Sequence, residues 1–344
     1  MESAQTRRAA AVAWMERHQA ALYAAGIAAG AVVGWAVPGA GRLAVLVEPV
    51  LGLLLLATFL AVPFAALGAA LRDVRFLTAL LVLNFAVVPA VVFGLSRFVA
   101  HDDALLVGVL LVLLAPCVDY VIVFTGLAGG AADRLLAAAP LLMLAQMLLL
   151  PAYLLLLAGP EAVALVELGP FAKAFVLLIL LPLAAAAAVQ RAASRSAAAR
   201  RLESATGAAM VPLMALTLFT VIASQVRGVG EQLAHLAAVV PLYAGFLVLM
   251  VPIGILAARL ARLDVPVSRA LVFGGVTRNS LVVLPLALAL PERLALTPFV
   301  VVTQTLVELV GMVVLVRLVP ALVRDRDPRH SGGTNSSHRK APRP

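Results

Sequence analysis

The sequence predicts an all-α polytopic membrane protein: ten transmembrane helices as two inverted five-helix repeats, with broken, crossing helices 4 and 9. Three observations predict it. The chain is 63% hydrophobic and only 12% charged, against about half and about a quarter in soluble domains, so its solvent is lipid. Its apolar residues run in near-continuous stretches such as Leu105–Leu114 and Leu141–Leu157. Strands of a transmembrane β-barrel would alternate polar and apolar positions instead, and that class is excluded. Finally, its few intramembrane charges fall in stretches interrupted by Pro, Gly and small polar residues.

The elements follow in order. Residues 1–19, with Arg7, Arg8 and Arg17, form a short amphipathic lead-in. The apolar run after it is too long for the core of a signal peptide and stays as a helix. A helix needs about 20 residues to cross the hydrocarbon. Cutting the chain at charges, Pro and Gly places spans at 20–40, 44–68, 74–96, 104–128, 133–158, 170–190, 204–226, 233–258, 268–290 and 297–320. The tail, 324–344, is rich in Arg, Pro, Ser and Gly and reads as disordered.

Basic residues test this count, because cytoplasmic loops carry the excess. With the N-terminus inside, the inner segments hold Arg7, Arg8, Arg17, Arg72, Arg75, Arg134, Arg191, Arg195, Arg200, Arg201, Arg259, Arg262 and Arg269. The outer loops hold Arg42, Arg97, Lys173, Arg227 and Arg293. Thirteen against five supports ten spans in a cell inner (plasma) membrane, with both termini cytoplasmic. Ten divides into five and five, and an odd-numbered repeat must sit inverted relative to its copy. The repeats are 20–158 and 170–321. Faint echoes agree: Leu56-Ala-Thr-Phe-Leu against Leu216-Thr-Leu-Phe-Thr, and Gln146 against Gln304. The net charge of +9 sits mainly at helix ends and in the tail, which argues against nucleic acid as a partner. Cys117 is the single cysteine, so no internal disulfide forms.

Asp119, Arg278 and Glu308 lie well inside predicted spans. Each would cost about 2.5–3.5 kcal/mol at the bilayer centre, so they should face one another or a wet cavity. Asp119 follows the interruption Ala115-Pro116-Cys117-Val118, where Pro116 cannot donate to the helix ladder. Arg278 sits in Gly274-Gly275-Val276-Thr277-Arg278-Asn279-Ser280 of the corresponding span in the second repeat. Pro116, Asp119, Thr277, Arg278 and Ser280 are therefore read as a helix crossover. Half-helix ends carry partial charge, positive at N-termini and negative at C-termini. An acid beside the first and a base beside the second would offset the repulsion of like ends. Asp119 and Arg278 either form that fixed pair, or serve as a titrating group and, with Asn279 beside it, an anion anchor.

Cys117 falls in the first turn of the second half-helix, a position that favours a ligating thiolate; the alternative is a small core residue. Gln304 and Glu308, four apart, share a helix face. A buried carboxyl suits proton carriage, and a hydrogen-bonded helix clamp is the alternative. Asn84 and Gln146 read as interhelical hydrogen-bond glue. No His-Glu-x-x-His, no Gly-x-Ser-x-Gly and no intramembrane aspartate pair is present, so an intramembrane enzyme is not expected, and no cofactor is implied. Broken helices with midplane charges point to a secondary transporter of a small solute.

The run from Ala115 through Cys117 and Asp119 to Gly130 resembles the fourth-helix signature of arsenite permeases in the bile acid/sodium symporter superfamily. Thr303-Gln-Thr-Leu-Val-Glu308-Leu-Val-Gly-Met resembles their tenth helix. The resemblance implies ten helices in inverted repeats and proton-coupled efflux of arsenite or antimonite. It implies Cys117 as the metalloid ligand and Glu308 as the acid that couples and binds. Two departures stand out. The family's ninth-helix asparagine pair and following glutamate are replaced here by Thr277-Arg278-Asn279-Ser280-Leu281, and the residue two past the cysteine, usually uncharged, is Asp119. These changes weaken the superfamily's sodium sites, which need acid and amide oxygens in that segment. The second functional expectation is thus sodium- or proton-coupled transport of a small organic or inorganic anion on Arg278.

Overall fold

The computed structural model describes residues 10–15, 17–61, 72–118, 120–164, 176–193, 195–229 and 235–324. Asp119, Lys173, the end of the second expected span, the start of the sixth, and all but the first residue of the expected disordered tail lie outside them. Among the described residues the structure is all-helical, with one isolated β-bridge and no strand.

Among the described residues six helices are long and apolar enough to cross a membrane, fewer than the ten spans the sequence predicts. The chain is a multi-pass membrane protein. The first expected span is shorter, α1 (Gln19–Ala36), and is followed by α2 (Ala44–Ala61). The third is long but not uniform. It comprises α3 (Val74–Val82), a π-turn over Leu83–Val87, and α4 (Val88–Ser96). The fourth is two half-helices, α5 (Asp103–Leu113) and α6 (Tyr120–Leu127). Then come α7 (Ala132–Ala164), which kinks at Gly159 where φ is 84°, and α8 (Leu181–Ala193). α9 (Ala197–Val229) starts earlier than the expected 204, and α10 is Val239–Leu260. The ninth span is again two halves, α11 (Val265–Val276) and α12 (Ser280–Leu288), and the last helix is α13 (Thr297–Leu322).

Polar residues start the half-helices. Asp102 accepts from the amides of Ala104 (2.9 Å) and Leu105 (3.1 Å) at the head of α5. Asp264 accepts from Val267 N–H at 3.1 Å, and Pro266 fills the first turn of α11, where a missing N–H costs nothing. Asn279 accepts from Val282 N–H at 3.2 Å and starts α12.

Helices α1, α2, α8 and α9 pack chiefly on one another, and α5, α7 and α10–α13 form a second packed group. Between lipid-facing helices there is no hydrophobic drive to associate, so close backbone approach matters. Gly26, Gly30 and Gly34 form a ridge on α1, pressed against α9. A Cβ on Gly26 would stand 2.7 Å from Ala215 O, one on Gly30 2.7 Å from Phe219 O, and one on Gly34 2.9 Å from Ala223 O. The ends of the bundle are tied by short polar contacts. Arg134 bonds Asp73, and Arg269 donates to Ala128 O and Val323 O at one end. Arg97 donates to Leu157 O, and Asp102 faces His235 at 3.9 Å, at the other.

Candidate functional site

The two helix breaks meet. Cys117 N–H donates to Thr277 O at 3.2 Å and Asn279 N–H to Ala115 O at 2.8 Å, which makes Pro116 and Arg278 an antiparallel bridge pair. The bonds are made by the neighbours of that pair, so it is the non-hydrogen-bonded kind. This explains the proline. Pro116 has no N–H, and at this position the bridge does not ask for one. It also leaves Arg278's own peptide groups free to point away from the pair. Arg278 N–H donates to Glu308 Oε2 at 2.9 Å, and Arg278 O accepts from the Tyr120 hydroxyl at 3.1 Å.

Glu308, 1% exposed, is held from three sides. Besides the Arg278 amide it accepts from the Tyr120 hydroxyl at 2.5 Å and from Gln304 Nε2. The first two donors belong to the residues that open α6 and precede α12, so the carboxylate lies at the half-helix N-termini.

The Arg278 guanidinium, 0% exposed, points the other way. Nη2 donates to Asn84 Oδ1 (2.8 Å), Gly275 O (2.7 Å) and Gly274 O (3.3 Å), and Nη1 to Leu113 O (3.3 Å). Leu113 ends α5, and the glycines lie in the last turn of α11. Two helix C-termini carry about −0.5 each, and one guanidinium offsets their sum. The Phe246 ring covers the group 5.4 Å away.

The remaining expected residues are placed as follows. Thr277 Oγ1 bonds back to Phe273 O at 2.6 Å, and Ser280 Oγ accepts from Thr305 Oγ1 at 2.8 Å. Asn279 caps α12, with its Nδ2 buried and unpartnered among the described residues. Cys117 is buried in the break itself. Asn84 does join two helices, whereas Gln146 has no partner for either amide atom among the described residues. Asp119 and its expected pairing with Arg278 lie outside the described residues; among those, Arg278 meets no carboxylate with its guanidinium. No three His, Cys, Asp or Glu among the described residues gather as a metal site.

A cavity of about 200 Å³ opens beside the break. Its walls come from Val12 and Met15 ahead of α1, from α1, α2, α7 and α9, and from Val118, Tyr120 and Ile122. The lining is mostly apolar, with Met15, Met210 and Met214 on it, and no described lining residue is charged. Thr58 supplies a buried hydroxyl with no partner among the described residues.

Residues 48–236, more than half the chain, match the model of the Sodium Bile acid symporter family. The chain belongs to this family. Its members are ion-coupled solute transporters and not enzymes. The match covers the first break, with Cys117, and stops before Arg278 and Glu308. No curated protein matches the chain. In this family member, sequence reasoning overlooked Tyr120, which lines the cavity and bonds Glu308 with its hydroxyl. The available signal was a tyrosine directly after a helix break in an otherwise apolar run, since a buried phenol needs a partner.

Proposed function

We propose that the chain is a proton-coupled exporter of trivalent arsenic or antimony, taken up from the cavity beside the helix breaks. One observation carries this. Tyr120 lines a cavity with no charged lining residue among those described, and the same residue bonds the buried Glu308 carboxylate. Such a space suits a neutral hydroxide such as that of trivalent arsenic. Cys117 is one residue from Val118 on its wall and supplies the soft ligand that thiophilic metalloids require.

The phenol gives a route for the proton. Its single hydrogen has two acceptors, Glu308 Oε1 and Arg278 O. When Glu308 is ionised the hydroxyl donates to the carboxylate. When a proton arrives on Oε1, the carboxyl donates to the phenol oxygen and the phenol donates to Arg278 O. One O–H rotation thus passes the charge state of Glu308 to the backbone of the break. In this reading the ten spans form two inverted repeats, 20–158 and 170–321, with both termini cytoplasmic and Asp119 as an accessory ion-coupling residue. The grouping of Arg134 and Arg269 at one end of the bundle supports the orientation.

The family match favours a second reading, sodium-driven transport of a small anion anchored by Arg278 and Asn279. It requires the guanidinium to leave four acceptors. Everted vesicles separate the two. Under the first reading, arsenite accumulates with an imposed proton gradient, an uncoupler abolishes it, and Cys117→Ser loses it. Accumulation of an organic anion driven by sodium, unaffected by Cys117→Ser, would replace it with the second.

A further inference from the structure

In transporters built on broken helices, half-helix C-termini and unwound carbonyls are where a coupling sodium ion is coordinated. Here that position is filled from within. We propose that Arg278 is a tethered cation standing in the place of a sodium ion, which makes this member of a sodium symporter family independent of sodium.

The acceptors are those of a hard monovalent cation. Three are backbone carbonyls, Leu113 O, Gly274 O and Gly275 O, and the fourth is the amide oxygen Asn84 Oδ1. All are oxygen ligands of the type sodium or calcium would choose, and none is a carboxylate of the kind that pairs edge-on with a guanidinium fork. Arg278 Nε finds no partner among the described residues. The surroundings therefore ring a positive charge rather than match the five donors of an arginine. The charge also fits, because two helix C-termini at about −0.5 each call for one positive charge. Phe246 closes the remaining side.

A cation bonded to the chain cannot exchange with either bath. It stabilises the breaks permanently and carries no gradient. Glu308, on the opposite side of the same bridge, is then the carboxyl group left at the breaks among the described residues. Arg278 is accordingly a residue that sets ion specificity. The inference holds whatever solute is carried.

The test needs no solute. The full-length protein is purified in detergent, and its thermal unfolding is followed in sodium chloride and in choline chloride at equal ionic strength. Wild type melts at the same temperature in both. Arg278→Ala empties the ring of oxygens, so it melts lower in choline and recovers by several degrees, saturably, with sodium. Arg278→Lys keeps one positive charge on the same chain and behaves as wild type. Specific stabilisation of wild type or of Arg278→Lys by sodium overturns the inference, as does a folded Arg278→Ala that is indifferent to sodium. If Arg278→Ala is not recovered folded in either salt, the other two proteins decide, with sodium indifference in both supporting the inference. Failure of arsenite transport alters none of these outcomes.

Discussion

The two helix breaks meet at one bridge yet are made of opposite materials. The first, between α5 and α6, contributes backbone. Leu113 and Ala115 offer carbonyls, Cys117 an amide, and Pro116 removes a donor that would have no use there. The second, between α11 and α12, contributes side chains. Thr277, Arg278, Asn279 and Ser280 each bond a neighbour, and Arg278 reaches both ends of the crossing. One break is a frame and the other is its filling. A residue's position in the frame is set by what it lacks, and in the filling by what it donates. Substitutions should therefore be felt far more on the side of the second break.

The largest effect is expected at Glu308, which closes the filling from above. Glu308→Ala strands the Arg278 amide and the Gln304 amide in a dry site, while the Tyr120 hydroxyl keeps Arg278 O as its acceptor. It should destabilise the protein by about 3–5 kcal/mol, given about 1–3 kcal/mol for each orphaned group and partial relaxation. The loss should appear as a poor yield of monodisperse protein and a lower melting temperature. Glu308→Gln keeps an acceptor oxygen and should fold, but lose proton-driven accumulation in vesicles. A folded Glu308→Ala with wild-type stability would show that the polar filling is not what holds the crossing.

Asn84→Ala comes next. It removes one of the acceptors of Arg278 Nη2 but leaves Gly275 O at 2.7 Å. A loss of about 1.5–3 kcal/mol is expected for a hydrogen bond to a charged group, again read by thermal unfolding. Asn84→Asp tests the same point from the other side, since it adds a negative charge against the guanidinium and should preserve the fold better than alanine.

In the frame, Pro116→Ala should cost only about 1 kcal/mol. It adds a buried N–H the bridge does not use, and it loosens the unfolded chain. A cost as large as that of Glu308→Ala would mean that the proline does more than omit a donor. Cys117→Ser should be smallest for stability, within about 0.5 kcal/mol, because the bridge uses the backbone of residue 117 and not its side chain. Metalloid transport by that variant should nevertheless be abolished. Stability and transport measured side by side on Pro116→Ala and Cys117→Ser would separate the frame's structural role from its chemistry.

The sequence made the frame easier to read than the filling. Unbroken apolar runs mark the helices, and Pro116 with the polar run at 274–280 marks both interruptions. The partners of Arg278 were not legible in the same way. Sequence reasoning pairs charges with charges and so looked to Asp119, whereas the guanidinium meets carbonyl oxygens, which every residue carries and no letter displays. Glu308 was read as a buried carboxyl, but its link to the cavity runs through Tyr120, and that depends on a break 188 positions away. The glycine ridge on α1 was there to be seen at four-residue spacing. Its partner helix was not, because α9 lies in the other half of the chain.

The bridge at Pro116 has a further consequence, in the time order of synthesis. Arg278 and its acceptor Leu113 O are 165 positions apart. At about 5–20 residues per second the ribosome needs on the order of 10–30 s to make the intervening chain. Throughout that interval the first break sits in or beside the bilayer with the Cys117 amide and the Ala115 carbonyl lacking their final partners. Each such group costs several kcal/mol in hydrocarbon. The first half of the protein is thus born with a polar defect that only the second half repairs. Assembly of the nascent chain is bound to a waiting period that neither half can shorten alone.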